Sequence, residues 1–292
     1  MLLRWIEEDK KWIVINEKEK QEGDLYLPKK LIKCLNYYKQ QQKNDNDIVL
    51  ILSGNEGSGK STLMGNVLEY ISDTKFSPTK DLIGSDYLDG LHKIEDAPQG
   101  GYLGFDEGNS FFLATETTTT EHRDLHKVFS IFRQKNLFVV ICLPGFFRLG
   151  TYFALDRSVC LMKTYLRKGK RGFFAFYGRS KKDALYRLGK PTYNDNLIEP
   201  NFRATFSKCH KLENQEYKTF KKVTLRSEIQ KARDKYNKKV GKPKLESSTN
   251  REVVARNIDK PVKEVAKLLG ISERAVYFIK SGLKEDANKI TA

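Results

Sequence analysis

The chain has 292 residues, enough for one large core with one or two small appendages. Its 53 Lys and Arg against 37 Asp and Glu give a formal net charge of +16, a field that attracts polyanions, so nucleic acid is the leading class of partner. Four scattered cysteines without a C-x-x-C pair argue against a zinc ribbon or disulfide framework and for a reduced, cytoplasmic compartment, and no apolar stretch is long enough to predict a signal peptide or membrane span.

Residues 1–46 form an entry segment of mixed character. Within it, "LPKKLIKCLNYYKQQQKN" predicts an amphipathic helix that starts behind Pro28 and ends at the polar turn of residues 44–47. The aliphatic run "DIVLILS" then predicts a strand buried on both faces of a parallel sheet. Next, "KSTLMGNVLEYIS" carries apolar residues at helical spacing, so the local order is strand, glycine loop, helix.

The glycine loop "GNEGSGKS" satisfies the pattern G-x-x-x-x-G-K-[ST]. Its glycines let backbone N–H groups converge on phosphate oxygens, and the helix N-terminus adds partial positive charge. Lys60 is predicted to reach the β and γ phosphates of ATP, and the Ser61 hydroxyl to ligate Mg²⁺. The predicted nucleotide-binding residues are Gly54, Asn55, Glu56, Gly57, Ser58, Gly59, Lys60, Ser61 and Thr62.

Two adjacent acids follow the next predicted strand. After a helix in "SDYLDGLHKI", the segment "YLGFDE" predicts a short strand that ends in Asp106 and Glu107. Asp106 is predicted to belong to the outer shell of the metal. Glu107 can orient and deprotonate an attacking water, so the pair favours hydrolysis over transfer to a small acceptor.

A helix in "EHRDLHKVFSIFRQKN" and a strand in "LFVVICL" continue the alternation, which predicts an open, mostly parallel sheet. Charge on a transferring phosphoryl group is commonly stabilised by an arginine from a neighbouring subunit. Arg133 is the first candidate for that catalytic role, with Arg148 and Arg157 in reserve.

The next segment is strongly basic. "VCLMKTYL", "RKGKRG" and "FFAFYGR" predict a hairpin with a charged turn, and residues 163–190 hold ten basic residues and one acid. Residues 191–240 are again lysine-rich and predict a helix near "RSEIQKARDKYNKKV". The stretch "GKPKLESSTN" has the composition of a linker.

The segment "VKEVAKLLGISERAVYFIKSG" resembles a helix-turn-helix. Ala266 allows two helices to approach, Gly270 makes the turn, and the apolar residues pack the second helix onto the first. The predicted DNA-contacting residues on the second helix are Ser272, which would also cap it, and Glu273, Arg274, Tyr277 and Lys280. The alternative is a small helical pair that docks on a protein.

The order of parts over roughly residues 47–160 resembles the FtsK/HerA group of P-loop ATPases, which includes DNA pumps, viral genome-packaging motors and zonular-occludens-toxin-like phage proteins. The matching pieces are "GNEGSGKS", "LGFDEGN" and "FSIFRQKNLFVVICLP". The resemblance implies a RecA-like core, Mg-ATP hydrolysis, a ring of subunits, typically a hexamer, and a trans arginine, carried over to Arg133. Members often place a phosphate-sensing glutamine where this chain has Cys142, Leu143 and Pro144, so that role is unassigned.

The sequence therefore predicts an α/β fold: a RecA-like P-loop NTPase core with a mostly parallel sheet, plus a small all-α C-terminal helix-turn-helix module. The predicted domains are an entry segment (1–46), the ATPase core with its basic hairpin (47–190), a basic helical connector and linker (191–248) and the helix-turn-helix (249–285).

The favoured function is a Mg-ATP-hydrolysing, homo-oligomeric motor on duplex DNA, such as a packaging or translocation ATPase of a virus or mobile element. Alternatives are a replication or helicase-loading ATPase and an ATP-switched helix-turn-helix DNA-binding regulator. A small-molecule kinase is less favoured, because it leaves the positive charge unexplained.

Overall fold

A computed structural model gives the structure of the protein and describes residues 1–106, 108, 112, 132–240 and 247–290. The chain divides into two compact units, Met1–Gln230 and Lys231–Ala292. Among the described residues, no helix has both the length and the apolar character that crossing a bilayer requires.

The strands are β1 (Leu2–Ile6), β2 (Lys11–Ile15), β3 (Leu25–Tyr26), β4 (Ile48–Ser53), β5 (Leu82–Ile83), β6 (Tyr102–Phe105), β7 (Phe138–Leu143), β8 (Ser158–Arg167), β9 (Lys170–Gly178) and β10 (Phe202–Thr205). The helices are α1 (Lys29–Lys43), α2 (Lys60–Ile71), α3 (Pro78–Asp81), α4 (Tyr87–Asp96), α5 (Arg179–Gly189), α6 (Gln215–Val240), α7 (Ser247–Arg256), α8 (Val262–Leu269) and α9 (Glu273–Ile290). The predicted helix over residues 121–136 lies mostly outside the described residues, and its last part, residues 132–135, is helical.

Seven strands of the described chain form the large sheet, in the order β10-β9-β8-β4-β7-β6-β5. The strands from β8 to β5 run parallel, and β9 and β10 extend the sheet in antiparallel fashion. Strand β7 separates β4, which leads into the glycine loop, from β6, which leads into Asp106. The prediction of an open, mostly parallel α/β sheet is therefore confirmed.

Helices cover both faces of this sheet. All six residues of β4 are buried, as its unbroken aliphatic run predicts. Val49 and Ile51 belong to one apolar cluster, which includes Leu185 of α5. The alternate residues of β4, Leu50 among them, belong to the opposite cluster, which includes the apolar side of α2. Strand β4 is therefore packed on both faces, and the glycine loop begins at the end of this buried strand.

The basic hairpin is confirmed as β8 and β9, which pair antiparallel and turn at Lys168 and Gly169. Both turn residues have positive φ, 49° and 73°, the conformation that a two-residue turn needs to match strand twist. The same hairpin brings the basic turn to the edge of the sheet where β4 ends, because β8 lies directly beside β4.

The entry segment contains a small sheet that the sequence analysis did not predict. Strand β1 pairs antiparallel with both β2 and β3. Helix α1 follows and runs from Lys29 to Lys43, as predicted. Its buried residues Leu31 and Leu35 join the same apolar cluster as α2, so the entry segment packs onto the core.

Candidate nucleotide site and candidate DNA-binding helices

The glycine loop connects β4 to α2 at the carboxyl edge of the parallel strands, where open α/β sheets bind ligands. Gly54, Gly57 and Gly59 have φ of 147°, 72° and 96°. Residues other than glycine rarely adopt such angles, so the glycine spacing of the motif is a backbone requirement. The loop residues Asn55, Glu56 and Gly57 are exposed, and Thr62 is half-buried in the first turn of α2.

A contact with β8 fixes the base of the loop. The Ser58 hydroxyl lies 2.6 Å from the Asn55 carbonyl, to which it donates, and 2.7 Å from Thr164 Oγ1. At Gly54, a β-carbon would stand 2.4 Å from the backbone oxygen of Thr164. Thr164 therefore forms part of the loop's support. The motif gives no hint of it, because the residue lies 106 positions away from Ser58.

Lys60 folds back over its own loop. Its ammonium donates to the carbonyl oxygens of Gly54 at 2.8 Å and Asn55 at 3.0 Å. Burial lowers the pKa of Lys60 from its usual value, and the charge of Asp106 works in the opposite direction. The side chain is thus positioned at the loop, where it could exchange carbonyl oxygens for phosphate oxygens.

Ser61 and Asp106 meet beside the start of α2. The Ser61 hydroxyl donates to Asp106 Oδ1 at 2.5 Å, and Asp106 is only 2% exposed. The two residues are 45 positions apart in sequence. Their contact results from the strand order, which directs the ends of β4 and β6 to one edge of the sheet. A hydroxyl and a carboxylate are ligands suited to a hard cation such as Mg²⁺.

Two further residues reach the same carboxylate from α6. The Tyr217 hydroxyl donates to Asp106 Oδ2 at 2.9 Å, and the Lys221 ammonium lies 2.9 Å from that oxygen. Burial raises the pKa of Tyr217 above its usual value, so this phenol stays protonated and donates. Neither residue belongs to a motif identified in the sequence, and their four-residue spacing indicates only that they share a helix face.

Glu107 lies outside the described residues. Arg133 is exposed, beside Asp45 and Asn136. Since it precedes β7, it lies at the amino-terminal edge of the sheet, opposite the glycine loop.

The reserve arginines differ in position. Arg148 lines a cavity of about 410 Å³ together with Gly54 and Asn55 of the loop. Arg157 forms an ion pair with Asp47, just before β4 and therefore at the other edge. Of these two, only Arg148 lies next to the glycine loop of its own chain.

The basic hairpin also approaches the loop. An Arg171 guanidinium nitrogen lies 3.7 Å from the place that a β-carbon on Gly57 would take. Arg171 follows the turn at the start of β9. It adds a further cation beside the loop, although in the sequence it belongs only to the general basic segment of residues 163–190.

The second unit contains the proposed helix-turn-helix residues. Helix α8 ends at Gly270, which has φ of 63° and ψ of 28°, and α9 begins at Glu273. Val254, Val265, Ala266 and Val276 form a buried cluster among α7, α8 and α9. The apolar spacing identified in the sequence therefore builds a small core of three helices.

The candidate DNA contacts lie along the start of α9. Ser272 accepts from the Ala275 amide at 3.3 Å, and Ser272, Glu273, Arg274 and Tyr277 are exposed. Arg274 stacks over the Phe278 ring at 5.9 Å. Lys280 is half-buried, and its ammonium donates to the Ile258 carbonyl at 2.6 Å. The exposed face of α9 thus carries a guanidinium and two aromatic rings.

No protein-family model matches the sequence, and no curated protein matches it. Solved structures are similar to the chain. The DNA-packaging ATPase B204 from Sulfolobus Turreted Icosahedral Virus is 11% identical, with a TM-score of 0.36 over 47% of this chain and 95% of that chain. The N-terminal domain of zonular occludens toxin from Neisseria meningitidis is 11% identical, with a TM-score of 0.38 over 56% and 95%. AMPPCP-bound DnaA from Aquifex aeolicus is 10% identical, with a TM-score of 0.31 over 90% of each chain.

Proposed function

We propose that this chain is a Mg-dependent ATPase that acts on duplex DNA as a translocation or packaging motor. The observation that carries the proposal is the 2.5 Å contact between Ser61 Oγ and Asp106 Oδ1, at the foot of the glycine loop. The loop amides and Lys60 would bind the triphosphate, as in other P-loop sites. A phosphate-binding loop with a buried carboxylate at this distance fits a Mg-nucleotide better than it fits phosphate alone.

Ser61 and Asp106 would hold the Mg²⁺. Both offer oxygen ligands, and the buried carboxylate of Asp106 already attracts a cation, the ammonium of Lys221. When bound, Mg²⁺ supplies charge neutralisation for the β and γ phosphates. Glu107 would orient and deprotonate the attacking water from the position next to Asp106.

Arg133 would serve a neighbouring subunit. It lies at the edge of the sheet opposite its own glycine loop, so it could reach a γ-phosphate only across a subunit interface. That geometry favours a homo-oligomeric ring, in which each subunit completes the site of the next.

DNA would be the polyanion that the net charge of +16 attracts. The basic turn of the β8–β9 hairpin and the face of α9 with Arg274 are the two surfaces proposed to contact it. Phosphate contacts would supply most of the affinity, and Arg274 could add recognition of a guanine edge.

The test is ATP turnover by the purified full-length chain, with and without duplex DNA. DNA is expected to raise turnover. Glu107→Gln is expected to lower it by on the order of 10²-fold while ATP binding persists, because only the proton acceptor is lost. Glu95→Gln, which changes an exposed acid of α4, is the matched control and should keep the wild-type rate.

A DNA-binding regulator switched by ATP is the second candidate function, favoured by the exposed face of α9 in a unit with its own core. If Glu107→Gln leaves turnover unchanged and DNA has no effect on it, the motor assignment fails and the regulator is preferred.

Arg274→Ala is expected to weaken binding to duplex DNA by about 10-fold at physiological salt, since a direct arginine contact is removed. Fluorescence anisotropy with a labelled duplex across salt concentrations measures this. Arg256→Ala, an equal change of charge at the end of α7, should have a smaller effect. If both variants lose the same DNA affinity, only the net charge matters and Arg274 makes no specific contact with DNA.

A further inference from the structure

The Asp106 carboxylate is fully engaged from two directions. Ser61 donates to Oδ1 at 2.5 Å, while Tyr217 and Lys221 both approach Oδ2 at 2.9 Å. Tyr217 and Lys221 stand one helical turn apart on α6, so they face the carboxylate together. Asp106 is almost completely buried, whereas the Lys221 side chain retains 35% of its exposure. The Lys221 side chain is thus partly exposed to solvent, while its ammonium contacts the buried carboxylate of Asp106.

Contacts along the first turns of α6 fix the helix backbone around Lys221. Glu216 accepts from Thr79 Oγ1 at 2.6 Å, and the Ser227 hydroxyl donates to Asp86 Oδ2 at 3.0 Å. Between them, Phe220 is buried in the apolar cluster beneath α2. Because the helix is anchored on both sides of Lys221, the ion pair with Asp106 is a property of the packed structure and differs from a chance surface contact.

A buried carboxylate requires a compensating cation or hydrogen-bond donors. Mg²⁺ and the Lys221 ammonium can each meet that requirement at Asp106. They cannot meet it together at close range, because two cations a few ångströms apart repel each other at the effective dielectric of a protein surface. Lys221 has a flexible side chain that is 35% exposed, so it is the partner that can move away.

We propose that Lys221 is an internal cation that balances the charge of Asp106 while no nucleotide is bound and that would be exchanged for Mg²⁺ when ATP binds. This inference rests on the proposed ATP site. Tyr217 keeps the carboxylate oriented while the cations exchange. Mg²⁺ without ATP would then not displace Lys221 from Asp106, because the charge of the triphosphate is needed to attract the metal against the repulsion of the Lys221 ammonium.

The experiment compares Lys221→Met with the wild-type chain and with Lys222→Met, which changes the exposed neighbour on the same helix. Two titrations with MgCl₂ are made: thermal unfolding of the full chain without nucleotide, and binding of a fluorescent ATP analogue. In Lys221→Met, the Mg²⁺ concentration for half-maximal analogue binding is expected to fall by on the order of 10-fold. Mg²⁺ alone should raise the unfolding temperature of this variant and leave that of the wild type and of Lys222→Met unchanged.

Lys221→Arg retains the cation and should keep a Mg²⁺ requirement close to that of the wild type. This variant separates the effect of losing the charge from the effect of changing the side chain at this position. An unchanged Mg²⁺ dependence in Lys221→Met overturns the inference. The inference is also overturned if Lys221→Met loses analogue binding equally with and without Mg²⁺, because Lys221 would then be a phosphate contact. Failure of the wild type to bind any ATP analogue would instead count against the proposed function, and the Mg²⁺-only titration would still test whether Lys221 keeps Mg²⁺ away from Asp106.

Discussion

Replacing Lys60 with alanine is expected to lower ATP turnover by roughly 10²- to 10³-fold, because a charged donor to the transferring phosphoryl group is removed. The Lys60 ammonium is held by loop carbonyls at 2.8 and 3.0 Å, so it is already positioned at the loop that would bind the phosphates. Phosphate release in the steady state measures turnover, and binding of a fluorescent ATP analogue separates loss of binding from loss of chemistry.

Lys80→Ala is the matched control for this variant. Lys80 is exposed on α3, so its removal changes the net charge equally and should leave turnover intact. Thermal unfolding of both variants checks that the fold survives. Turnover at the wild-type rate in Lys60→Ala would mean that the glycine loop is not the phosphate-binding element.

Gly54→Ala is expected to lower the free energy of unfolding by about 3 kcal/mol and to remove ATP binding. The new β-carbon would stand 2.4 Å from the Thr164 backbone oxygen, at a φ of 147° that alanine rarely adopts. Since that oxygen belongs to β8 in the middle of the sheet, the loop must move. Urea unfolding gives the stability change, and titration with a fluorescent ATP analogue gives the loss of binding.

The control for this prediction is Gly100→Ala. Gly100 also has positive φ, 68°, but a β-carbon there meets nothing within 4 Å. Only the backbone penalty of about 1 kcal/mol is then expected, with ATP binding unchanged. Equal stability losses in the two variants would show that the contact with Thr164 does not constrain the loop.

Local patterns predicted much of the first unit. The buried run of β4 and the glycine loop are encoded within about 20 consecutive residues, where periodicity and backbone requirements act directly. The strand that leads into Asp106 and the hairpin turn at Lys168 are encoded locally in the same way. In the second unit, Gly270 and its apolar neighbours define the turn and the core of the three helices.

The partners of Asp106 could not be predicted in this way. Tyr217 is 111 residues away in sequence, and α6 reaches the site through tertiary packing that no local pattern encodes. The support of Ser58 by Thr164 depends likewise on β8 lying next to β4. The entry sheet was missed for a different reason: β1 and β2 are short, and aromatic and charged residues interrupt their alternation.

The entry sheet has a practical consequence for spectroscopy. The two tryptophans of the chain, Trp5 and Trp12, lie on β1 and β2 with ring centroids 5.5 Å apart. Trp12 also stacks on Tyr70, in the last turn of α2, at 5.6 Å. Because α2 begins at Lys60, intrinsic tryptophan fluorescence reports on the far end of the helix that starts at the glycine loop. The unmodified protein therefore carries its own optical probe for movement of that helix.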